Sequence, residues 1–96
     1  MNVDITLRHG PSDDNIREYA MKKIRKVSRL ANKAIGCHVV LDWENNEQIA
    51  EINLSVSGKQ IFVRESTDDM YRSVDGAVDK LVTRLKKFKT TRYSHN

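Results

Sequence analysis

The sequence predicts an α+β fold in the order β-α-β-β-β-α, a four-stranded sheet with two helices packed on one face. Three observations predict it. Four short segments alternate apolar and polar residues with a period of two, two longer segments repeat apolar residues at spacings of three and four, and simple turn dipeptides separate the last three strands. A sheet with one apolar face and two helices with one apolar stripe each bury all three by stacking both helices on that face. Ninety-six residues suffice for one such domain, residues 1–96, and leave no room for a second.

Residues 3–8 place Val3, Ile5 and Leu7 on one side and Asp4, Thr6 and Arg8 on the other, the pattern of a half-buried strand. Gly10, Pro11 and Ser12 end it. Ser12 or Asp13 is the expected cap of the first helix, and Asp13, Asp14 and Glu18 suit its positive end. Ile16, Ala20, Ile24, Val27, Ala31 and Ala34 then form a stripe that predicts a helix ending near Gly36. Residues 37–44 predict a strand with Val39, Leu41 and Trp43 on one face. After the Asn45-Asn46 turn, Ala50, Ile52, Leu54 and Val56 alternate with Glu51, Asn53 and Ser55, and Ser57-Gly58 leads into residues 59–65, with Ile61 and Val63 inward. These three strands predict an antiparallel meander, and the strand-helix-strand unit before it predicts parallel pairing of the first two strands. Ser66 or Thr67 is the expected cap of the last helix, whose stripe is Met70, Val74, Ala77, Val78, Leu81, Leu85 and Phe88. Residues 89–96 are expected to form a flexible tail.

Charge is distributed unevenly over this frame. Thirteen of the seventeen Lys and Arg residues fall in residues 17–33 and 80–92, where Glu18 is the sole acid. On a helical wheel Lys22, Arg25, Lys26, Arg29 and Lys33 share about 100° of arc opposite the apolar stripe. Lys80, Arg84 and Lys87 lie together on a flank of the second stripe, at i, i+4 and i+7. Solvated helices usually mix signs, whereas after Glu18 neither basic segment contains an acidic partner. With both helices on one face, their outward edges are expected to join into one basic surface, and the partner such a field attracts is a polyanion, nucleic acid first.

Other function classes find little support. No apolar run approaches the ~20 residues that span a bilayer, and residues 1–10 lack a basic start followed by an apolar stretch, so the expected location is the cytoplasm, without a membrane partner. Cys37 is the single cysteine, which rules out an intrachain disulfide and a cysteine-based zinc cluster. Its neighbour His38 points to the opposite face of the strand, so the two form no thiolate-imidazole pair, and an enzyme built on Cys37 is the weakest reading. His9, His38 and His95 lack metal-site spacing, and four isolated glycines make no phosphate loop. No catalytic residue, metal, cofactor or small-molecule substrate is assigned. Trp43 is expected to point inward and Phe62 outward. Asp42, Glu44, Glu51 and Glu65 make Phe62 a poor stacking platform for RNA, so the open sheet face reads as polar surface. An RNA-recognition motif would need a strand after the last helix. A general double-stranded-RNA module is the alternative, because α-β-β-β-α, the order of such domains, follows the first strand.

Residues 66–89, S-T-D-D-M-Y-R-S-V-D-G-A-V-D-K-L-V-T-R-L-K-K-F-K, resemble the last-helix signature of the bacterial ribosome hibernation-promoting factor and ribosome-associated inhibitor family. D-I-T at residues 4–6, I-R-E-Y-A at residues 16–20 and the order of elements fit as well, so the resemblance covers essentially the whole chain. D-M-Y at residues 69–71 followed by D-K-L at residues 79–81 is its most specific part. The resemblance implies a factor that binds the small ribosomal subunit in the mRNA and tRNA channel and stops translation in resting or stressed cells, touching 16S rRNA and ribosomal proteins. Carried over by position, it implies rRNA contacts at Lys22, Lys23, Lys26 and Arg29 on the first helix and at Lys80, Arg84, Lys86 and Lys87 on the second; the wheel adds Arg25 and Lys33. Where the family often has a basic residue before Gln, this chain has Thr83 before Arg84. Without an acidic tail or an added dimerisation domain, the chain resembles the short branch, whose members act with a separate ribosome modulation factor to pair ribosomes into inactive dimers.

Overall fold

The computed structural model describes residues 1–31 and 33–93, and the side chains among them up to residue 87. The element order is β1 (Asn2–Arg8), α1 (Asp14–Ser28), β2 (Ala34–Glu44), β3 (Glu47–Val56), β4 (Lys59–Thr67) and α2 (Met70–Tyr93). The strands form one sheet in the order β1-β2-β3-β4. β1 runs parallel to β2 in the register Ile5 to Val39, while β2 and β3, and β3 and β4, pair antiparallel as a meander. The alternating positions named from the sequence all turn one way: Cys37, Val39, Leu41, Ala50, Ile52, Leu54, Val56, Ile61 and Val63 join one core cluster with Ile16, Ala20, Ile24 and Val27 of α1 and with Met70, Val74, Ala77, Leu81 and Leu85 of α2. Both helices therefore bury their stripes on the same sheet face.

The helix boundaries differ from the sequence expectation. α1 stops at Ser28, with Arg29 as its C-cap, and Leu30 and Ala31 fold back by donating their N–H groups to the Val27 carbonyl at 2.9 and 3.2 Å. Ala31 and Ala34 keep helical spacing and are buried, yet Ala34 and Gly36 belong to β2, because pairing with Val56 on β3 and Asn2 on β1 claims them. An irregularity between Ala34 and Gly36 leaves Ile35 exposed. Asp13, of the two residues expected, caps α1, its carboxylate accepting from the Asn15 N–H at 2.9 Å. At α2 neither Ser66 nor Thr67 is the cap, since both lie in β4. Asp69 accepts from the Tyr71 N–H at 3.0 Å, Gln48 accepts from the Met70 N–H at 2.6 Å, and Thr67 braces the loop by accepting from the Asp69 N–H. The backbone of α2 continues as helix to Tyr93. The Phe88 side chain, and residues 94–96 of the segment expected to be a tail, lie outside the described residues.

Two further placements matter for the surface. Trp43 points inward, its ring against Gly10, where a Cβ would collide with the indole. Phe62 points outward and is half exposed. The open sheet face is less polar than expected: Val40 and Ile49 are buried there outside the core cluster, beside a buried carboxylate, Asp42, that His9 Nδ1 meets at 2.9 Å.

Candidate nucleic-acid interface

α1 and α2 lie side by side and run the same way. Tyr19 meets Tyr71 in an edge-to-face pair with ring centroids 4.9 Å apart, and four residues further along each helix Lys23 Nζ lies 3.4 Å from Asp75 Oδ1. Equal steps of four in one direction require parallel axes. The C-terminal ends of both helices, where carbonyl dipoles favour cations, therefore lie at the same end of the molecule.

On α1, Lys22, Arg25, Lys26 and Arg29 are exposed on the side away from the core, as the wheel predicts. Among the described residues none of the four has a carboxylate within ion-pair distance, which leaves their charge uncompensated. Lys33 is exposed but sits in the turn before β2, beyond α1, so the expected helical arc of five cations holds for four. Lys23 departs in the other direction. It is half-buried in the seam, ion-paired to Asp75 and 5.4 Å above the Tyr19 ring, so the basic segment of α1 does find an acid, supplied by α2.

The cations of α2 divide. With Asp75 marking the side that faces α1, Lys86 falls within roughly 20° of it on the wheel, whereas Lys80 and Arg84 fall roughly 140 to 180° away. Lys86 and Lys87 are exposed. Lys80 and Arg84 reach over to β4: Lys80 Nζ donates to the Arg64 carbonyl at 2.9 Å and pairs with Glu65 at 3.1 Å, and Arg84 donates to the Phe62 carbonyl at 3.0 Å. Four residues along a helix and two along a strand both cover about 6 to 7 Å, so one helix flank matches alternate carbonyls of one strand. Arg17 does the equivalent at the opposite edge of the sheet, donating to the Ile5 carbonyl of β1 at 2.6 Å. The basic surface is thus uneven: Lys22, Arg25, Lys26 and Arg29 cluster on α1, exposed Lys86 lies on the side of α2 that faces α1, and Lys80 and Arg84 sit at the β4 edge. Thr83 directs its hydroxyl to the Asp79 carbonyl at 3.0 Å within α2.

The seam is a compact polar network. Tyr19 donates its hydroxyl to Asp75 Oδ1 at 2.6 Å; this bond, then burial and the Asp75 charge, raise the phenol above its ordinary 10.0, with Lys23 opposing. Lys23 is likewise raised above its ordinary 10.5, first by the Asp75 charge. Both groups are protonated in the folded state at pH values where they would lose their protons in the unfolded chain. Their contribution to stability is therefore complete below about pH 10 and is lost as pH rises through the raised values. In a Tyr71→Phe, Tyr93→Phe background, an absorbance titration of tyrosinate should show Tyr19 ionising late. Asp75→Ala should return it toward the ordinary range and flatten the alkaline fall in melting temperature.

Burial, with the Asp4 charge adding, pushes the Cys37 thiol up to about 11, the opposite of an activated nucleophile. His38 turns to the other face, its Nδ1 2.9 Å from Asp4 Oδ2. Among the described residues no group of His, Cys, Asp and Glu is placed to hold a metal, and no helix is long and apolar enough to cross a membrane. His95 lies outside the described residues.

Comparison with known proteins places this geometry. The family model described as sigma 54 modulation protein / S30EA ribosomal protein matches residues 3–93. A ribosome hibernation promoting factor from Klebsiella oxytoca is 30% identical over 95 residues, covering 99% of this chain and 100% of that protein. One from Pseudomonas putida KT2440 is 29% identical over 94 residues, covering 98% and 92%. Among solved structures, a ribosomal subunit interface protein from Coxiella burnetii superposes with a TM-score of 0.87 at 26% identity, covering 94% of this chain and 99% of that one. The Thermus thermophilus Protein Y N-terminal domain gives 0.81 at 32% identity, covering 92% and 99%.

Proposed function

The chain belongs to the sigma 54 modulation protein / S30EA ribosomal protein family, and from that premise we propose that it is a ribosome hibernation factor that binds the small subunit in the mRNA and tRNA channel and reversibly blocks translation in resting or stressed cells. The observation that carries the mode of binding is the α1 face of Lys22, Arg25, Lys26 and Arg29, exposed and without a carboxylate partner among the described residues. Such a face gains more from phosphate than from water, because each neutralised phosphate releases a counterion. Contacts to phosphate position a protein without reading sequence, so discrimination rests on the shape of the 16S rRNA cleft and the ribosomal proteins around it. The folded body then occupies space that mRNA and tRNA need. No bond is made or broken in this mechanism, and its site of action is cytoplasmic, where ribosomes are. Pairing of ribosomes into inactive dimers, with a ribosome modulation factor as the second component, extends the same reading.

The names of the relatives weigh against a general double-stranded-RNA module, whose affinity for a plain duplex would match its affinity for ribosomes. Sucrose-gradient sedimentation with purified subunits tests both readings. The protein should travel with the small subunit at 50 mM salt and be released steeply by a few hundred millimolar, while a plain RNA duplex should not compete. Sedimentation apart from ribosomes at every salt concentration would sink the proposal, and binding indifferent to salt would remove its electrostatic basis.

A further inference from the structure

A groove of about 470 Å³ opens between the exposed side of β4 and α2, outside the α1 face, lined by Phe62, Arg64, Lys80 and Arg84 among others. Its size falls in the range of small-ligand sites. Phe62 is 50% exposed, a large ring held outward by a strand whose alternate residues, Ile61 and Val63, are buried in the core. Its neighbours along the strand and across the sheet include acids, which argues against RNA; the fold adds cations that are distant in sequence. The most informative of these is Arg84. Its guanidinium donates to the Phe62 carbonyl, an uncharged acceptor that holds it at the β4 edge of the groove without cancelling its charge, and it leaves further N–H donors for a phosphate. Lys80 is held on the next alternate carbonyl, that of Arg64, with Glu65 compensating its charge, and Arg64 itself lies 3.8 Å from Glu51. One carboxylate, Asp79, also lines the groove.

An exposed aromatic residue and a prepositioned guanidinium, which has no carboxylate within ion-pair distance among the described residues, line one groove, and that pair of features takes an unpaired nucleotide: the ring stacks the base and the cation holds the phosphate. We propose that this groove is a second RNA site, which binds one unstacked nucleotide of a single-stranded segment through base stacking on Phe62 and phosphate contact with Arg84. The inference deepens the ribosome-binding reading and rests on it for the identity of the strand, while the groove itself can be tested without ribosomes. It also gives the two cation groups different tasks: α1 meets a phosphate surface, and the β4 edge meets a single splayed nucleotide.

The test is fluorescence anisotropy of the full chain with a labelled single-stranded RNA hexamer and with an abasic hexamer of equal charge. Phe62→Leu, which keeps an apolar side chain without a π face, should weaken the base-bearing hexamer between about fivefold and a hundredfold and leave the abasic one unchanged. Phe62→Trp should restore binding, and Arg84→Gln should weaken both hexamers. Circular dichroism melts of each variant separate loss of binding from loss of fold. Equal binding of the two hexamers by the unaltered chain, or an unchanged affinity of Phe62→Leu for the base-bearing hexamer, overturns the proposal. Displacement of the hexamer by a free nucleoside monophosphate at equal concentration would also overturn it, as a nucleotide site unrelated to strands. Failure of the unaltered chain to sediment with ribosomes would strike the function reading instead, whatever the hexamers show.

Discussion

Replacing Lys22, Arg25, Lys26 and Arg29 together by glutamine is expected to lower affinity for the small subunit by on the order of a hundredfold at moderate salt, with the fold intact. Each phosphate neutralised contributes about 0.9 to the slope of log affinity against log salt, so losing four removes roughly three to four units of slope. The readout is therefore a pair of quantities, affinity and its salt dependence, measured by subunit co-sedimentation between 50 and 200 mM salt. All four side chains are exposed and none belongs to the core cluster, so the melting temperature should hold or rise slightly as like charges are removed. Arg17→Gln is the matched control. It lies in the same basic segment, but on the wheel it falls roughly 80 to 180° from those four cations and reaches the β1 edge, where it donates to the Ile5 carbonyl, so its loss should leave the salt slope nearly unchanged. A quadruple variant that binds like the unaltered chain would move the interface off α1.

Leu54→Ala is expected to cost about 3 to 5 kcal/mol of folding stability. Leu54 is fully buried on β3, an interior strand, with α2 packed over it, and Cys37 and Ile61 pair with it on either side. A cavity there has walls from the sheet and from a helix, neither of which can collapse into it without breaking strand register. For a domain whose total stability is about 5 to 15 kcal/mol, the variant should melt more than about 12 °C lower or fail to fold. Thermal and urea denaturation followed by circular dichroism and Trp43 fluorescence check this. Ile35→Ser is the contrast: Ile35 is 72% exposed at the β2 irregularity, and its replacement should stay within about 0.5 kcal/mol.

The strands were legible because a half-buried sheet imposes its period of two on the sequence directly; Ala50 through Val56 and Ile61 with Val63 take the faces that alternation assigns. The end of α1 was not. Ala31 and Ala34 satisfy helical spacing and are buried, and the partners that draw Ala34 into β2, Val56 and Asn2 through Gly36, are distant in sequence. The cap of α2 was misplaced for a related reason: pairing with β3 extends β4 through Ser66 and Thr67 and shifts the helix start to Met70. Charge segregation revealed which segments are basic, and the wheel correctly aimed four cations of α1. It could not sort the others, because a wheel describes one helix alone. Whether Lys23 finds Asp75, or Arg84 finds the Phe62 carbonyl, depends on which helix and which edge strand the topology brings alongside. Those pairs are separated by 52 and 22 residues, and local pattern carries no trace of them.

The placement of Arg17, Lys80 and Arg84 on carbonyls of β1 and β4 has a consequence for behaviour in concentrated solution. An outer strand of a sheet is a template on which another chain can add by backbone pairing, and lysine and arginine are a common deterrent. Here the deterrent is supplied by the helices and sits at both ends of the sheet, so self-assembly in either direction must first displace a cation from its carbonyl. Variants that lose these side chains should reveal the defect as turbidity and slow polymer growth that rise with protein concentration.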